Sequence, residues 1–225
     1  TAAVDKLIGL LNLRIPADLD DRYHLSDHIP RDERPVVFIG PFEHHSNELP
    51  WRESIADVVP IPADADGHID LLRLEAELRR YADRPLRIGT FSAASNVTGI
   101  LSDTHDIAAL LHRHGALSFW DFAAAAPYVD IAMYGGPDRD PLAYKDAVFL
   151  SPHKFIGGPS TPGVLVVRRE LLSRPRHDQD RGLAHLEVRG RHLQRPPVPQ
   201  GDDEPEEPGS RRAGGTGGRA PTAPR

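Results

Sequence analysis

The sequence predicts an α/β fold with a mostly parallel central sheet and helices on both faces. Two observations support this. Short apolar runs of strand length alternate along the chain with segments whose apolar residues recur at helical spacing. The strand runs are also predominantly apolar, as expected when a sheet is covered on both faces.

The predicted strands are short runs bounded by turn residues or by polar side chains. Pro60 favours an edge position for the second run, because proline cannot donate a hydrogen bond to a neighbouring strand. The runs are 35–40, 57–61, 86–91, 117–120, 147–150 and 163–167.

Three helices are predicted, one before the first strand and two between strands. Residues 2–13 carry an apolar stripe at helical spacing. Asp70 is a suitable N-cap for a helix that extends to Tyr81. Asp103 caps a further helix that stops at Gly115, because glycine readily ends helices.

The composition changes near Arg174. Residues 1–174 contain the apolar pattern, whereas 175–225 are rich in Pro, Gly, Arg and Glu, and no aromatic residue follows Phe155. Such a segment buries too little apolar surface to offset chain entropy. We therefore predict a partial domain over 1–174 and a tail over 175–225 that is disordered or not native to the domain's family.

Composition also excludes several classes. A net charge of −6 argues against a nucleic-acid binder, and the absence of cysteine excludes disulfides and thiolate metal sites. No apolar run reaches the roughly 20 residues of a membrane helix, and no signal peptide opens the chain. These features predict a cytoplasmic protein without a membrane or nucleic-acid partner.

Lys154 is the first candidate functional residue. It lies in the segment Ser151-Pro152-His153-Lys154, directly after a predicted strand, and glycines follow it. A desolvated lysine loses proton affinity and can form a Schiff base with an aldehyde, while glycines let the backbone approach a ligand. Taken alone, the segment is more typical of an exposed lysine beside a turn.

Asp121 ends a predicted strand and precedes small residues. A carboxylate at that point can pair with the ring nitrogen of a pyridine cofactor, which makes the ring an electron sink. The simpler alternative is an aspartate that caps the following alanine segment.

Two further loops carry polar groups. His44 could stack on a flat ring, although His44 and His45 also suggest a metal site or a solvated loop. Asn96 could donate to a ring oxygen, or could simply form an Asx-turn.

In combination and in this order, the segments resemble the class V aminotransferase superfamily, which includes cysteine desulfurases and selenocysteine lyases. The matching segments are Glu43-His44-His45-Ser46-Asn47 with Pro50-Trp51, then 95–99, Asp121, and 151–154 with the following glycines. The resemblance covers about residues 1–173. It implies the fold-type I architecture and pyridoxal 5'-phosphate (PLP) as cofactor.

The resemblance also implies a role for each matching residue. Lys154 would bind the cofactor and move the substrate α-proton, Asp121 would pair with the ring nitrogen, and His44 would stack on the ring. The remaining contacts would be Asn96 to the ring oxygen, Ser151 and His153 to the phosphate, and Thr1 at the end of a phosphate loop.

Some positions depart from the family. Ala124 replaces a frequent glutamine, Ala93 replaces a histidine, and 132–146 looks like a surface insertion. The resemblance further implies that the chain starts within the phosphate loop. It also implies that the chain lacks the small domain with the substrate-binding arginine and, in desulfurases, the catalytic cysteine.

The sequence thus predicts a fragment of a PLP-dependent enzyme acting on an amino acid, with a cysteine desulfurase or selenocysteine lyase as the leading activity. An aminotransferase or epimerase, an inert fragment, and more distantly a metal hydrolase remain alternatives. The full-length protein would be a homodimer by resemblance.

Overall fold

The computed structural model describes residues 1–136 and 138–172. Their centre is a six-stranded sheet in the order β2-β1-β3-β4-β5-β6. All neighbouring pairs are parallel except β5 and β6, which are antiparallel. The strands are β1 (Val36–Ile39), β2 (Asp57–Pro60), β3 (Arg87–Ser92), β4 (Leu117–Asp121), β5 (Ala147–Leu150) and β6 (Val164–Val167).

Helices cover both faces of this sheet, and the predicted fold class is therefore confirmed. The helices are α1 (Ala2–Leu10), α2 (Ala17–Tyr23), α3 (His45–Arg52), α4 (Leu71–Arg80) and α5 (Thr104–Arg113). Short 3-10 turns occupy Leu25–His28, Arg31–Glu33, Pro152–Lys154 and Arg169–Leu172. Within the described residues, no helix is long and apolar enough to cross a bilayer.

The side chains of each strand pack alternately in two separate core layers, because successive side chains of a strand point to opposite faces. On β1, Val36 and Phe38 pack in the layer that contains α4 and α5. Val37 and Ile39 pack in the other layer, beneath α1 and α3. This arrangement explains why β1 is apolar at every position.

The predicted strand boundaries agree with the structure to within a residue or two, and Pro60 lies on an edge strand as expected. The first helix is shorter than predicted. It ends at Leu10, because Asn12 adopts a positive φ of 56°, which is incompatible with a continuing helix.

Two short helices were not predicted. Residues 45–47, expected in a loop, begin α3, and Ala17–Tyr23 forms α2. Neither helix gives a strong periodic signal. Of the α2 side chains, none is buried, and α3 carries Pro50 in its interior.

The expected surface insertion over 132–146 is only partly correct. Its first part is mostly exposed, but Ala143, Lys145 and Asp146 are buried. Lys145 is only 1% exposed and donates from Nζ to the carbonyl of Ala132 at 3.0 Å. The segment therefore folds back onto the domain before β5 begins.

Asp146 explains this burial because it joins several elements. Its Oδ2 accepts hydrogen bonds from the amide of Ser118 on β4 and from Nε2 of His112 on α5, both at 2.8 Å. Its Oδ1 lies 3.2 Å from Nη1 of Arg168, just after β6. Tyr144 is stacked between the His112 ring and the Arg168 guanidinium.

The predicted tail, 175–225, lies outside the described residues, as does the predicted boundary at Arg174.

We expect Asp146→Ala to lower the free energy of unfolding by about 3–5 kcal/mol, because the substitution leaves buried donors and charges without their partner. Urea unfolding followed by circular dichroism measures the effect. Asp140→Ala is the matched control, since Asp140 pairs with Arg113 at the surface and such pairs contribute less than about 1 kcal/mol. Equal effects of the two substitutions would contradict the assignment.

Candidate functional site

A cavity of about 410 Å³ opens at the carboxyl ends of β3, β4 and β5, next to the N-terminal ends of α1 and α3. Ligands of open α/β sheets bind at this edge, and cavities of this size accommodate small molecules. Every residue that the sequence predicted to contact the cofactor lines this one cavity: Thr1, His44, Asn96, Asp121, Ser151, His153 and Lys154.

Lys154 reaches the cavity from the 3-10 turn that follows β5. The turn is closed by hydrogen bonds from the Lys154 amide to the Ser151 carbonyl and from the Phe155 amide to the Pro152 carbonyl, both 2.9 Å long. Lys154 itself is exposed. The desolvation that was expected to activate its amine is therefore not supplied by the packing of this chain.

Gly158 allows the turn to fold back on itself. A Cβ at this position would lie 2.0 Å from the carbonyl oxygen of Pro152. Gly157, its neighbour, has a positive φ of 77° but open space around it. The backbone behind Lys154 thus requires glycine at 158 for steric reasons and favours it at 157 for conformational ones.

Asp121 occupies the last position of β4 and is 7% exposed. Its Oδ1 accepts a hydrogen bond from the Ala123 amide at 2.8 Å. Burial raises the pKa of Asp121, while that hydrogen bond and the charge of Lys154 oppose the increase. Asp121 therefore hydrogen-bonds the turn that follows it and lines the cavity at the same time, although the alanine segment forms turns and not the helix that the capping alternative assumed.

His44 is the N-cap of α3, where its Nδ1 accepts a hydrogen bond from the Ser46 amide at 3.1 Å. Because an amide can only donate, Nδ1 is unprotonated and a neutral ring carries its hydrogen on Nε2. The Ser46 hydroxyl lies 3.0 Å from the same Nδ1 and accepts from the Thr1 hydroxyl at 2.9 Å. Side chains of α1 and α3 thus meet at the cavity wall.

Asn96 is exposed at the cavity rim. The turn at this point is formed by Ser95, whose hydroxyl accepts from the amides of Val97 and Thr98. The Asn96 side chain is therefore not required for that turn.

The two alanines that depart from the family pattern, Ala124 and Ala93, lie in different parts of the structure. Ala124 lines the cavity and contributes no polar group there, whereas Ala93 is packed in the core and does not line it.

Glu43 belongs to the motif over 43–47, but the sequence predicted no role for it. Its Oε1 accepts from the Ser92 amide, and its Oε2 accepts from the Ser92 hydroxyl and from Nδ2 of Asn47, all at 2.8 Å. Burial raises the pKa of Glu43 to about 7, against the effect of these hydrogen bonds and with a contribution from Asp121. Ser92 also lines the cavity.

The metal alternative finds little support in the described residues. The rings of His44 and His45 are 5.9 Å apart and inclined by 46°. Over 1–136 and 138–172, no group of three or more His, Cys, Asp or Glu side chains is close enough to hold a metal ion.

Comparison with known families resolves the class of protein. The sequence profile of the family described as "Aminotransferase class-V" matches residues 24–197, a range that extends past Arg174. The chain belongs to the class-V aminotransferase family. Members of this family are PLP-dependent enzymes, and the predicted family, enzyme class and cofactor are thereby confirmed.

Curated relatives are named as cysteine desulfurases. A probable cysteine desulfurase 2 from Mycobacterium leprae is 33% identical over 146 residues, which cover 63% of this chain and 32% of that protein. A probable cysteine desulfurase from Halalkalibacterium halodurans is 31% identical over 146 residues, or 63% of this chain and 33% of that protein. The chain thus spans about a third of the length of these relatives.

Solved structures support the same fold. The cysteine desulfurase CsdA from Escherichia coli is 25% identical, with a TM-score of 0.50, over 76% of this chain and 43% of that one. Oryza sativa TDC, solved with PLP and tryptamine, is 20% identical with a TM-score of 0.52, over 76% of this chain and 37% of that one. The second likeness concerns the fold alone.

We expect Gly158→Ala to destabilise the turn that carries Lys154 more than Gly157→Ala does. The first substitution forces the backbone away from Pro152, whereas the second adds only a conformational penalty of about 1 kcal/mol. Amide hydrogen exchange of residues 153–158 measures the difference. Faster exchange in the Gly157 variant than in the Gly158 variant would contradict this account of the turn.

Proposed function

We propose that the cavity binds PLP and that this chain supplies the cofactor site of an enzyme acting on an amino acid, of the cysteine desulfurase or selenocysteine lyase type. The observation that carries the proposal is the convergence of Lys154, Asp121 and His44 on one cavity from three separate strand ends. The names of the curated relatives favour a desulfurase. The family profile keeps amino transfer or epimerisation as the second candidate.

The residues at the cavity fit the chemical groups of PLP. Lys154 supplies a primary amine for the aldehyde, and no other lysine lines the cavity among the described residues. Asp121 supplies a buried carboxylate for the ring nitrogen, and a neutral His44 supplies a flat ring for stacking. When bound, PLP provides an electron-poor ring that stabilises negative charge at the substrate α-carbon.

The phosphate would lie against the start of α1. Ala2, Ala3 and Val4 line the cavity, and the first amides of a helix have no partner within the helix. Their dipoles favour an anion at this point. Thr1, Ser151 and His153 add side chains from both sides of the cavity.

Each of the three residues would have a separate role in the reaction. Asp121 would hold a proton at the pyridine nitrogen, because a charge-assisted bond offsets the cost of its own burial. Lys154, which lies on an exposed turn, would move the substrate α-proton. His44 would keep the ring in place. The homodimer and the cytoplasmic location stay predictions.

Lys154→Ala should abolish covalent attachment of PLP. The experiment is to add PLP to the chain, reduce with borohydride and map the labelled peptide. Lys6→Ala is the control and should leave labelling intact.

Lys145 provides the sharpest contrast in that experiment. Burial lowers the pKa of Lys145 to about 8, but this lysine lies outside the cavity and is 1% exposed. A label on Lys145 or Lys6, or no label in the unmodified chain, would overturn the proposed function.

Asp121→Asn should retain the fold and weaken PLP binding by about 1.5–3 kcal/mol, roughly 10- to 150-fold in Kd, through loss of a charge-assisted hydrogen bond. Absorbance titration measures the affinity. Asp130→Asn, an exposed aspartate that does not line the cavity, is the matched control. Unchanged PLP affinity in Asp121→Asn would contradict the proposed contact between Asp121 and the ring nitrogen.

A further inference from the structure

Glu43 stands directly behind the cavity wall, and none of the steps above uses it. The residue as a whole is half-buried, but its carboxyl group is turned inward. Both carboxyl oxygens accept hydrogen bonds, from Ser92 on β3 and from Asn47 on α3. Gly40 leaves the space for this, since a Cβ there would lie 2.6 Å from Oε1.

The contacts of Glu43 connect the parts of the cavity. Through Ser92 it holds the end of β3, where Ser92 is paired with Asp121 on β4. Through Asn47 it holds the first turn of α3, of which His44 is the cap. Asn47 is itself buried and accepts from the Thr90 hydroxyl at 2.8 Å.

We propose that Glu43 is a positioning residue of this site. It ties the turn that carries His44 to the end of β3, and its charge sets whether the Ser92 hydroxyl acts as an acceptor or as a donor toward the cavity.

The hydrogen-bond directions follow from the atoms present. When Glu43 is ionised, the Ser92 hydroxyl donates to Oε2 and offers only its lone pairs to the cavity. When Glu43 is protonated at Oε2, the proton is donated to the Ser92 oxygen. The Ser92 hydrogen is then free to point into the cavity, and an anionic ligand group gains a donor.

Three titratable groups lie around Glu43. Asp121 on β4 disfavours its ionisation, His44 caps the same turn, and His68 lines a small pocket on its other side. Because the pKa of Glu43 is near 7, the change would occur as the pH rises through neutrality.

The first test needs no cofactor. The amide of Ser92 donates to Glu43 Oε1, so its 15N–1H resonance in the free chain should shift with an inflection near pH 7. Glu43→Gln should remove that inflection while Asp121, His44 and His68 remain. The Asn47 amide group can turn over to accommodate glutamine, because the Thr90 hydroxyl can accept as well as donate.

Hydrogen exchange supplies a second variant and a control. Glu43→Ala should accelerate exchange at Ser92 and over 45–47 by roughly tenfold or more. Ser102→Ala is the control, since Ser102 donates to the Ser92 carbonyl but does not line the cavity. An inflection that survives in Glu43→Gln, or equal exchange in Glu43→Ala and Ser102→Ala, would overturn the proposal.

The second test rests on the proposed function. PLP affinity should fall as the pH rises through 7 in the unmodified chain. Glu43→Gln, which keeps the Ser92 hydroxyl turned toward the cavity, should bind PLP several-fold more tightly than the unmodified chain at pH above 7. Ser92→Ala should lose this dependence, and Ser102→Ala should retain it.

The two tests fail separately. A chain that does not bind PLP defeats the proposed function, while the Ser92 resonance still decides the role of Glu43. If PLP affinity depends on pH in the same way in the unmodified chain and in Glu43→Gln, the charge of Glu43 does not control the Ser92 hydroxyl, even if PLP binds.

Discussion

The alignment of β3, β4 and β5 is the constraint on which the site depends. Ser92 is paired with Asp121, and Asp121 with Phe149, so three strands end side by side at the same level. Lys154 follows β5 within a single short turn. A shift of β4 by one residue against its neighbours would turn Asp121 to the opposite face of the sheet, since successive residues of a strand face opposite sides.

The contacts of Asp146 stabilise this alignment at the opposite ends of the strands. Its contacts with Ser118, His112 and Arg168 link β4, α5 and β6 at the start of β5. The edge that carries the cavity can therefore consist of turns and exposed side chains, because the opposite edge is held by buried polar contacts.

Much of the fold could be predicted from the sequence because its signals are local. Apolar runs located the strands, and Asp70 and Asp103 do cap α4 and α5 through their side chains. The candidate site could be predicted because polar residues follow strands whose carboxyl ends must meet. Helix α3 could not, since it begins within a polar motif and contains Pro50.

Other features depend on contacts between distant residues, which local patterns do not contain. The burial of Lys145 and Asp146 requires partners on α5 and β4 or in the preceding loop. The role of Glu43 depends on Ser92, 49 positions away. The exposure of Lys154 was expected to be lower because the strand before it is buried, but the 3-10 turn that contains Lys154 places it at the surface.

The separation of the core into two layers has a spectroscopic consequence. The chain has two tryptophans, and the sheet places one in each layer. Trp120 packs against Phe91 and donates from Nε1 to the Ser118 hydroxyl, whereas Trp51 packs against Phe119 and its Nε1 has no hydrogen-bond partner among the described residues. Because the two indoles lie in different surroundings, their fluorescence reports independently on each side of the sheet. Replacing one of them by phenylalanine would show whether the two layers melt together or in sequence.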